Sequence, residues 1–165
     1  MEKRGQMQIS FGMIFSIILV IMFISFVIYI IIYFLDFSDR VKIEQFEEKL
    51  QEDVDKIWRG YQGSKVVNLG LPKEISKVCF IDNSASAIGR NNEMYNDFIM
   101  RNTIETIMYF PEGSADGKEG FKLDHINVSK ITEKENPYCV ENRKGTVSFK
   151  IQMNYGENLV RITGE

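Results

Sequence analysis

The sequence predicts an α+β protein in which a long N-terminal helix precedes a small, mainly antiparallel β domain that packs on it. Three observations support this class. Residues 9–35 carry no charged side chain, and apolar residues recur at helical spacing over residues 43–61. Short alternating segments separated by turn residues follow residue 63. The 165 residues suffice for one domain with an appendage.

The charge-free segment, residues 9–35, is rich in Ile, Phe, Val, Leu and Met. As a helix it would be roughly 40 Å long, more than the ~30 Å hydrocarbon core of a bilayer. The apolar part of a secretion signal has only about 7–15 residues and ends at a small-residue A-x-A site. No such site follows here, so we expect a retained transmembrane helix rather than a cleaved signal or a buried soluble helix.

The flanking charges predict the orientation of this helix. The short leader, residues 1–8, contains Lys3 and Arg4, whereas the other flank begins with Asp36 and Asp39. The positive-inside rule therefore favours a cell-membrane protein with a cytoplasmic leader and an extracytoplasmic C-terminal domain. Without the leader's three charged residues, the totals of 20 basic and 23 acidic side chains become 18 and 22. This acidic balance argues against a nucleic-acid partner, which would require a basic face.

Residues 36–62 are predicted to form an amphipathic stalk helix that continues the membrane segment. Neither proline nor glycine interrupts the chain from Met13 to Arg59, and Gly60–Gly63 marks its end. The apolar residues follow one another at steps of three and four: Ile43, Phe46, Leu50, Val54, Ile57 and Tyr61. Such a stripe is expected to pack against the β domain.

The β-rich domain, residues 63–165, is predicted to contain about six short strands. Alternating or apolar segments are found at 65–71, 74–81, 125–132, 138–142, 146–153 and 158–163. Segment 104–110 could be a strand or a helix end, and Tyr109–Phe110 before Pro111 favours a strand. The residues Arg143–Lys144–Gly145 predict a hairpin between segments 138–142 and 146–153.

Cys79 and Cys139 lie on two of the predicted strands in the part expected outside the membrane. An oxidising compartment permits a disulfide, and the alternative is two buried reduced cysteines. In the chain-entropy model, closing a loop of ~60 residues stabilises the fold by about 4 kcal/mol. The spacing matches neither a CxxC motif nor a zinc site, so we expect a structural disulfide.

The sequence offers little material for catalysis or ligand binding. His125 is the single histidine, and the loop 111–120, PEGSADGKEG, has three residues between its first glycines where a phosphate-binding loop requires four. Glu119 follows Lys118 where such a loop has Ser or Thr, and the EF-hand pattern for calcium is absent. We expect a non-enzymatic protein without cofactor, metal or small-molecule substrate.

Two further patterns suggest a modification and a packing contact. Asn127, Val128 and Ser129 form an N-glycosylation sequon on the side assigned as external, which makes Asn127 a candidate acceptor. Gly12 and Ser16 form a small-xxx-small pair, which permits close approach of a second transmembrane helix. The alternative for this pair is two small residues tolerated in a lipid-facing helix.

The beginning of the chain resembles a known leader. Lys3-Arg4-Gly5-Gln6 is followed by Gln8-Ile9-Ser10 and then by the apolar helix. This arrangement resembles type IV pilin-like proteins, in particular archaeal pilins and archaellin-like proteins with a class III leader. Their motif has a basic residue and Gly before the cleavage point, followed by Gln-x-Ser-x-Glu. Gly5 and Gln6 correspond to the cleavage neighbourhood, and Gly12 stands where the frame beginning at Gln8 has glutamate.

The resemblance implies a surface protein that packs through its N-terminal helix against copies of itself or other pilin-like subunits. In that family the glutamate is thought to pair with a neighbouring subunit's freed N-terminus, so Gly12 favours a minor or non-polymerising subunit of a filament or envelope assembly. The alternative is an unprocessed, membrane-anchored interaction module, a bitopic subunit of a larger envelope complex. An N-terminus at Gln6 or Gln8 would favour the first hypothesis, and an intact one the second.

Overall fold

A computed structural model describes residues 11–100 and 104–164 of the chain. Its first element is a helix of 49 residues, α1 (Phe11–Arg59), which is followed by a small antiparallel β domain with two short helices. The chain divides into two compact units, of which the first ends at Ser38 and the second begins at Asp39. The predicted α+β class, with a long helix before a sheet domain, is confirmed.

Seven strands form two sheets in the part of the chain that the structure describes, and every pairing between them is antiparallel. The first sheet contains, in spatial order, β1 (Gly63–Gly70), β6 (Thr146–Met153) and β7 (Arg161–Gly164). The second contains β4 (Gly120–Phe121), β3 (Ile107–Phe110), β2 (Lys77–Phe80) and β5 (Tyr138–Glu141).

The C-terminal part of α1 supplies the side chains around which both sheets pack. Its buried apolar residues follow the predicted helical spacing: Ile43, Phe46, Leu50 and Val54. The ring of Phe46 has its centroid 6.1–6.3 Å from those of Tyr109 in β3, Phe121 in β4 and Phe149 in β6. The predicted packing of the β domain on this stripe is thereby confirmed for residues 43–54.

The predicted stripe is wrong at its last residue. Ile57 still packs against the core, but α1 ends at Arg59, and Tyr61 has a φ of 61° and a side chain that is 80% exposed. A left-handed backbone at this position ends helical geometry, so the side chain of Tyr61 leaves the face that Ile57 continues.

Alternation along the strands separates two apolar clusters. In β6 the buried residues are the alternate ones, Val147, Phe149, Ile151 and Met153, and they face the main core. In β2, Val78 and Phe80 face that core, whereas Cys79 belongs to a second cluster. The second cluster also contains Phe98 of helix α2 (Asn92–Met100), so α2 packs on the face of the second sheet that is opposite α1.

The prediction of a strand over 125–132 is wrong, because a short helix, α3 (Val128–Ile131), occupies the segment. His125 has a φ of 63°, which interrupts an extended backbone. Asn127 then caps the helix, since its Oδ1 accepts a hydrogen bond from the backbone N of Lys130 at 3.1 Å. α2 and β4 were not predicted.

The turn predicted at Arg143–Lys144–Gly145 is present, but the strands beside it do not form a hairpin. Arg143 and Thr146 exchange backbone hydrogen bonds, and Lys144 and Gly145 have φ values of 58° and 91°, as in a type I′ turn. The strands then separate, because β5 pairs with β2 whereas β6 pairs along its whole length with β1. The turn therefore connects the two sheets.

Candidate functional site

The apolar segment of α1 forms an extended exposed surface. From Phe11 to Phe37 every residue is exposed, and none of the most apolar window is buried within the structure. Among the described residues, α1 is the one helix whose length and apolar composition suffice to cross a membrane. An exposed apolar surface of this extent is stable in contact with lipid or with other apolar helices.

Small and hydroxyl-bearing residues interrupt this surface on two opposite faces. The hydroxyl of Ser16 donates a hydrogen bond to the carbonyl oxygen of Gly12 at 2.9 Å, and that of Ser25 donates to Ile21 at 2.8 Å. Neither hydroxyl therefore needs a partner outside the helix. Because nine residues at about 100° each amount to two and a half turns, Ser25 lies on the face opposite Ser16.

Two tyrosines in the same segment were not singled out from the sequence. Tyr29 and Tyr33 are exposed and follow Ser25 at successive intervals of four residues, which gives one face of the helix. Tyrosine is enriched at membrane–water interfaces, where its ring meets lipid and its hydroxyl meets water. The i, i+4 spacing of Ser25, Tyr29 and Tyr33 was the sequence signal available for this face.

The predicted disulfide between Cys79 and Cys139 is present in the structure. The two residues lie directly opposite each other in neighbouring strands, β2 and β5, and Cys79 is fully buried. The bond links the edge strand β5 to its neighbour β2, and it packs against Phe98 of α2. Its position in an apolar cluster is that of a structural crosslink.

The side chains of the sequon residues Asn127 and Ser129 both form hydrogen bonds within the β domain. Asn127 caps α3 through its side-chain oxygen, and the hydroxyl of Ser129 donates to Oδ2 of Asp82 at 2.9 Å. Burial raises the pKa of Asp82, but hydrogen bonds from Ser84, Ser129 and the backbone of Ala85 outweigh burial and leave its pKa below the ordinary value. Glycosylation of Asn127 stays a prediction.

The single histidine belongs to a cluster at the end of α1. Nδ1 of His125 lies 2.9 Å from Oδ1 of Asp55, and the His125 ring stacks on Trp58 with centroids 3.7 Å apart. Burial raises the pKa of Asp55, but hydrogen bonds from His125 and Gln51 outweigh it and lower the pKa overall. His125 lies 70 residues from Asp55 in sequence, so no local pattern could have revealed this cluster.

A second polar cluster joins α1 to the second sheet. The hydroxyl of Tyr109 donates to Oε1 of Glu47 at 2.9 Å, and Nζ of Lys118 donates to Oε2 of the same carboxylate at 2.6 Å. Burial raises the pKa of the Tyr109 phenol, and the nearby charge of Glu47 raises it further. Burial, followed by the charges of Glu119 and Glu47, raises the pKa of Glu105. The two charge-assisted hydrogen bonds to Glu47 fix α1 to the second sheet.

The clusters give no sign of a metal centre within residues 11–100 and 104–164. No group of three or more His, Cys, Asp or Glu side chains there is arranged to hold a metal ion. Two clefts of comparable size lie in the β domain. One, of about 500 Å³, is lined by Trp58, Arg59, Tyr61, Met153, Glu157 and Asn158. The other, of about 450 Å³, lies at the opposite end of the domain's part of α1, beside Asp39 and Lys42.

Gly5 and Gln6, the residues predicted at a leader cleavage point, lie outside the described residues. Of the other predicted site residues, the structure brings together Cys79 with Cys139 and Gly12 with Ser16. Comparisons with protein-family models, with curated protein sequences and with solved structures return no match for this chain.

Proposed function

We propose that this chain is a non-enzymatic, single-pass surface protein of pilin-like organisation. Its apolar helix packs against copies of itself or similar helices, and its β domain lies outside the cell membrane. The observation that carries this proposal is the segment from Phe11 to Leu35, which has no charged side chain, is exposed throughout, and belongs to the same helix as the stalk around which the β domain packs. Such a surface requires lipid or other helices around it.

Two features support the extracytoplasmic position of the β domain. The leader contains Lys3 and Arg4, and basic residues favour the cytoplasmic side of a transmembrane helix. The disulfide between Cys79 and Cys139 favours an oxidising compartment, because cytosolic thiols are kept reduced. The two features are independent of each other, and both favour the same orientation.

The Gly12–Ser16 face is the proposed helix contact. Both residues are exposed, and the Ser16 hydroxyl is already satisfied by the Gly12 carbonyl, so a second helix can approach without leaving a polar group unpaired. Gly12 supplies no intramembrane carboxylate to pair with a neighbour's N-terminus. Contact by close packing alone suits a minor subunit better than the main subunit of a fibre.

Exchange of small residues for large ones tests this contact. Gly12→Leu combined with Ser16→Leu is expected to reduce subunit crosslinking in native membranes several-fold, because leucine side chains separate the two backbones. The matched control, Ile21→Leu combined with Ser25→Leu, has the same spacing on the opposite face and should leave crosslinking unchanged. Equal effects of the two double variants would contradict the assigned face.

The N-terminus of the mature protein tests the pilin-like proposal. Mass spectrometry of membrane and filament fractions is expected to find the protein there with an N-terminus at Gln6 or Gln8. An intact start at Met1 or Glu2 would instead support the unprocessed interaction module, in which the β domain binds a partner in an envelope complex. Absence of the protein from both fractions would contradict both functions.

A further inference from the structure

The cleft beside Asp39 is built where the second unit begins. It is lined by residues of α1, by the end of β1 and the turn after it, and by the type I′ turn before β6: Asp39, Lys42, Gly70, Leu71, Pro72, Lys73, Glu74, Lys144 and Gly145. Its volume of about 450 Å³ is in the range of small-molecule sites. Three separate parts of the chain therefore meet at this end of the domain.

Hydrogen bonds to backbone carbonyl oxygens hold the walls of this cleft. The backbone N of Leu71 donates to the carbonyl oxygen of Gly145 at 3.1 Å, which joins the two turns. Nδ2 of Asn142 donates to the carbonyl oxygens of Pro72 at 2.8 Å and Ile75 at 2.7 Å, which fixes the segment that carries Lys73. The positions of Lys73 and Lys144 on these turns are therefore set before any ligand binds.

The cleft carries three ammonium groups and two carboxylates. Lys42 pairs with Asp39 at 2.7 Å, and Glu74 is the other acidic residue of the lining. Lys73 and Lys144 are exposed, and neither forms an ion pair within residues 11–100 and 104–164. The lining thus has one net positive charge, with two ammonium groups available to an anion.

Asp39, a residue of the cleft lining, lies close in sequence to the end of the apolar segment. Within helix α1, Asp39 follows Leu35, the last residue of the charge-free segment, by four residues, which is a rise of about 6 Å. The polar headgroup layer of a bilayer extends roughly 5–8 Å beyond the hydrocarbon on each side. With Leu35 at the edge of the hydrocarbon, Asp39 in the lining of the cleft would lie at the depth of the lipid phosphates.

We propose that this cleft binds the phosphate of an anionic membrane lipid, with Lys73 and Lys144 as its two ligands and Lys42 released from Asp39 as a third. Two ammonium groups on neighbouring turns can contact one phosphate group from different sides. The proposal rests on the membrane-anchored function above, and adds a lipid class to it. Bound lipid would fix the β domain at the membrane surface.

Native mass spectrometry of the full chain in detergent micelles tests the lipid site. Wild-type protein is expected to retain added phosphatidylglycerol in preference to phosphatidylcholine. Each lysine removed should weaken retention about fivefold, so Lys73→Gln with Lys144→Gln should weaken it about 25-fold. The matched control, Lys134→Gln with Lys150→Gln, makes the same charge change at exposed residues outside the cleft and should retain the lipid as wild type does.

The outcomes separate the lipid site from the membrane anchor. Equal retention of the two lipids, or equal losses in the two double variants, would overturn the lipid site. The membrane anchor would still stand in that case if the chain requires detergent to stay in solution. Displacement of phosphatidylglycerol by millimolar inorganic phosphate would show a site for soluble phosphate and overturn the lipid assignment. A full chain that stays soluble and monomeric without detergent would overturn the anchor and the lipid site together.

Discussion

Asn136 organises the loop after β2 through one buried amide. Its Oδ1 accepts from the backbone N of Asp82 at 3.1 Å, and its Nδ2 donates to the carbonyl oxygens of Asp82, Ala85 and Ser86 at 3.0, 3.4 and 3.2 Å. The side chain is fully buried, so water cannot replace these partners. This role could not be predicted from the sequence, because an asparagine before a proline is typical of any turn.

Substitution of Asn136 should therefore lower the free energy of unfolding much more than substitution of an exposed asparagine. Asn136→Ala leaves buried backbone groups unpaired and is expected to lower the free energy of unfolding by about 3 kcal/mol. The control Asn96→Ala, at an exposed position of α2, should change it by less than about 0.5 kcal/mol. Urea unfolding of the full chain in detergent measures both, and similar losses would contradict the role of the amide.

Glu105 makes the stability of the β domain depend on pH in a defined direction. Its pKa in the folded chain is raised above the ordinary 4.5, first by burial and then by Glu119 and Glu47. The folded chain therefore binds this proton more tightly than the unfolded chain. The stabilising contribution is fully present below the unfolded-state pKa and is lost as pH rises through the folded-state pKa.

Glu105→Gln removes the titrating group while it keeps the size of the side chain. The melting temperature of the variant relative to wild type is expected to increase between about pH 4 and pH 7, because only wild type loses stability as Glu105 ionises. The control Asn96→Ala, at an exposed position of α2, removes no titrating group, so its melting temperature relative to wild type should stay constant over this range. A variant whose relative melting temperature falls over this range would contradict the raised pKa.

At the scale of elements, α1 was the most predictable part of the chain. Its stripe repeats at steps of three and four without proline or glycine, so local periodicity and tertiary packing agree from Ile43 to Val54. The segment that contains α3 was mistaken for a strand because Ile126 and Val128 are separated by one polar residue, and the stretch is too short to distinguish the two periods. The capping hydrogen bond of Asn127 and the left-handed His125 decided the outcome there.

Phe46 tests the contribution of the α1 stripe to the domain. Phe46→Ala removes a ring in contact with both sheets and is expected to lower the free energy of unfolding by about 3–5 kcal/mol. Gln45→Ala, on the exposed face beside it, is the control and should have little effect. The fluorescence of Trp58, the single tryptophan, reports the transition because Trp58 packs at the edge of the same core. A decrease in the free energy of unfolding below about 1 kcal/mol would show that the folding of the sheets does not depend on this helix contact.

At the scale of the whole molecule, the sequence predicted the class and the disulfide because both depend on features visible in one dimension. A long charge-free segment, a periodic stripe and two cysteines on apolar strands need no knowledge of distant contacts. Three other features depend on residues far apart in sequence. They are the division of the strands between two sheets, the cluster of His125 with Trp58 and Asp55, and the cleft with Lys73 and Lys144. Periodicity alone carries no information about such pairings.

The orientation of the chain in a membrane tests the central claim most directly. Intact cells are treated with a membrane-impermeant amine reagent, and the modified lysines are mapped by mass spectrometry of the membrane fraction. The exposed lysines of the β domain outside the cleft, Lys134 and Lys150, are expected to react before lysis, whereas Lys3 of any unprocessed chain reacts only after it. Modification of Lys3 but not of the β domain in intact cells, or recovery of the chain in the soluble fraction, would contradict the account.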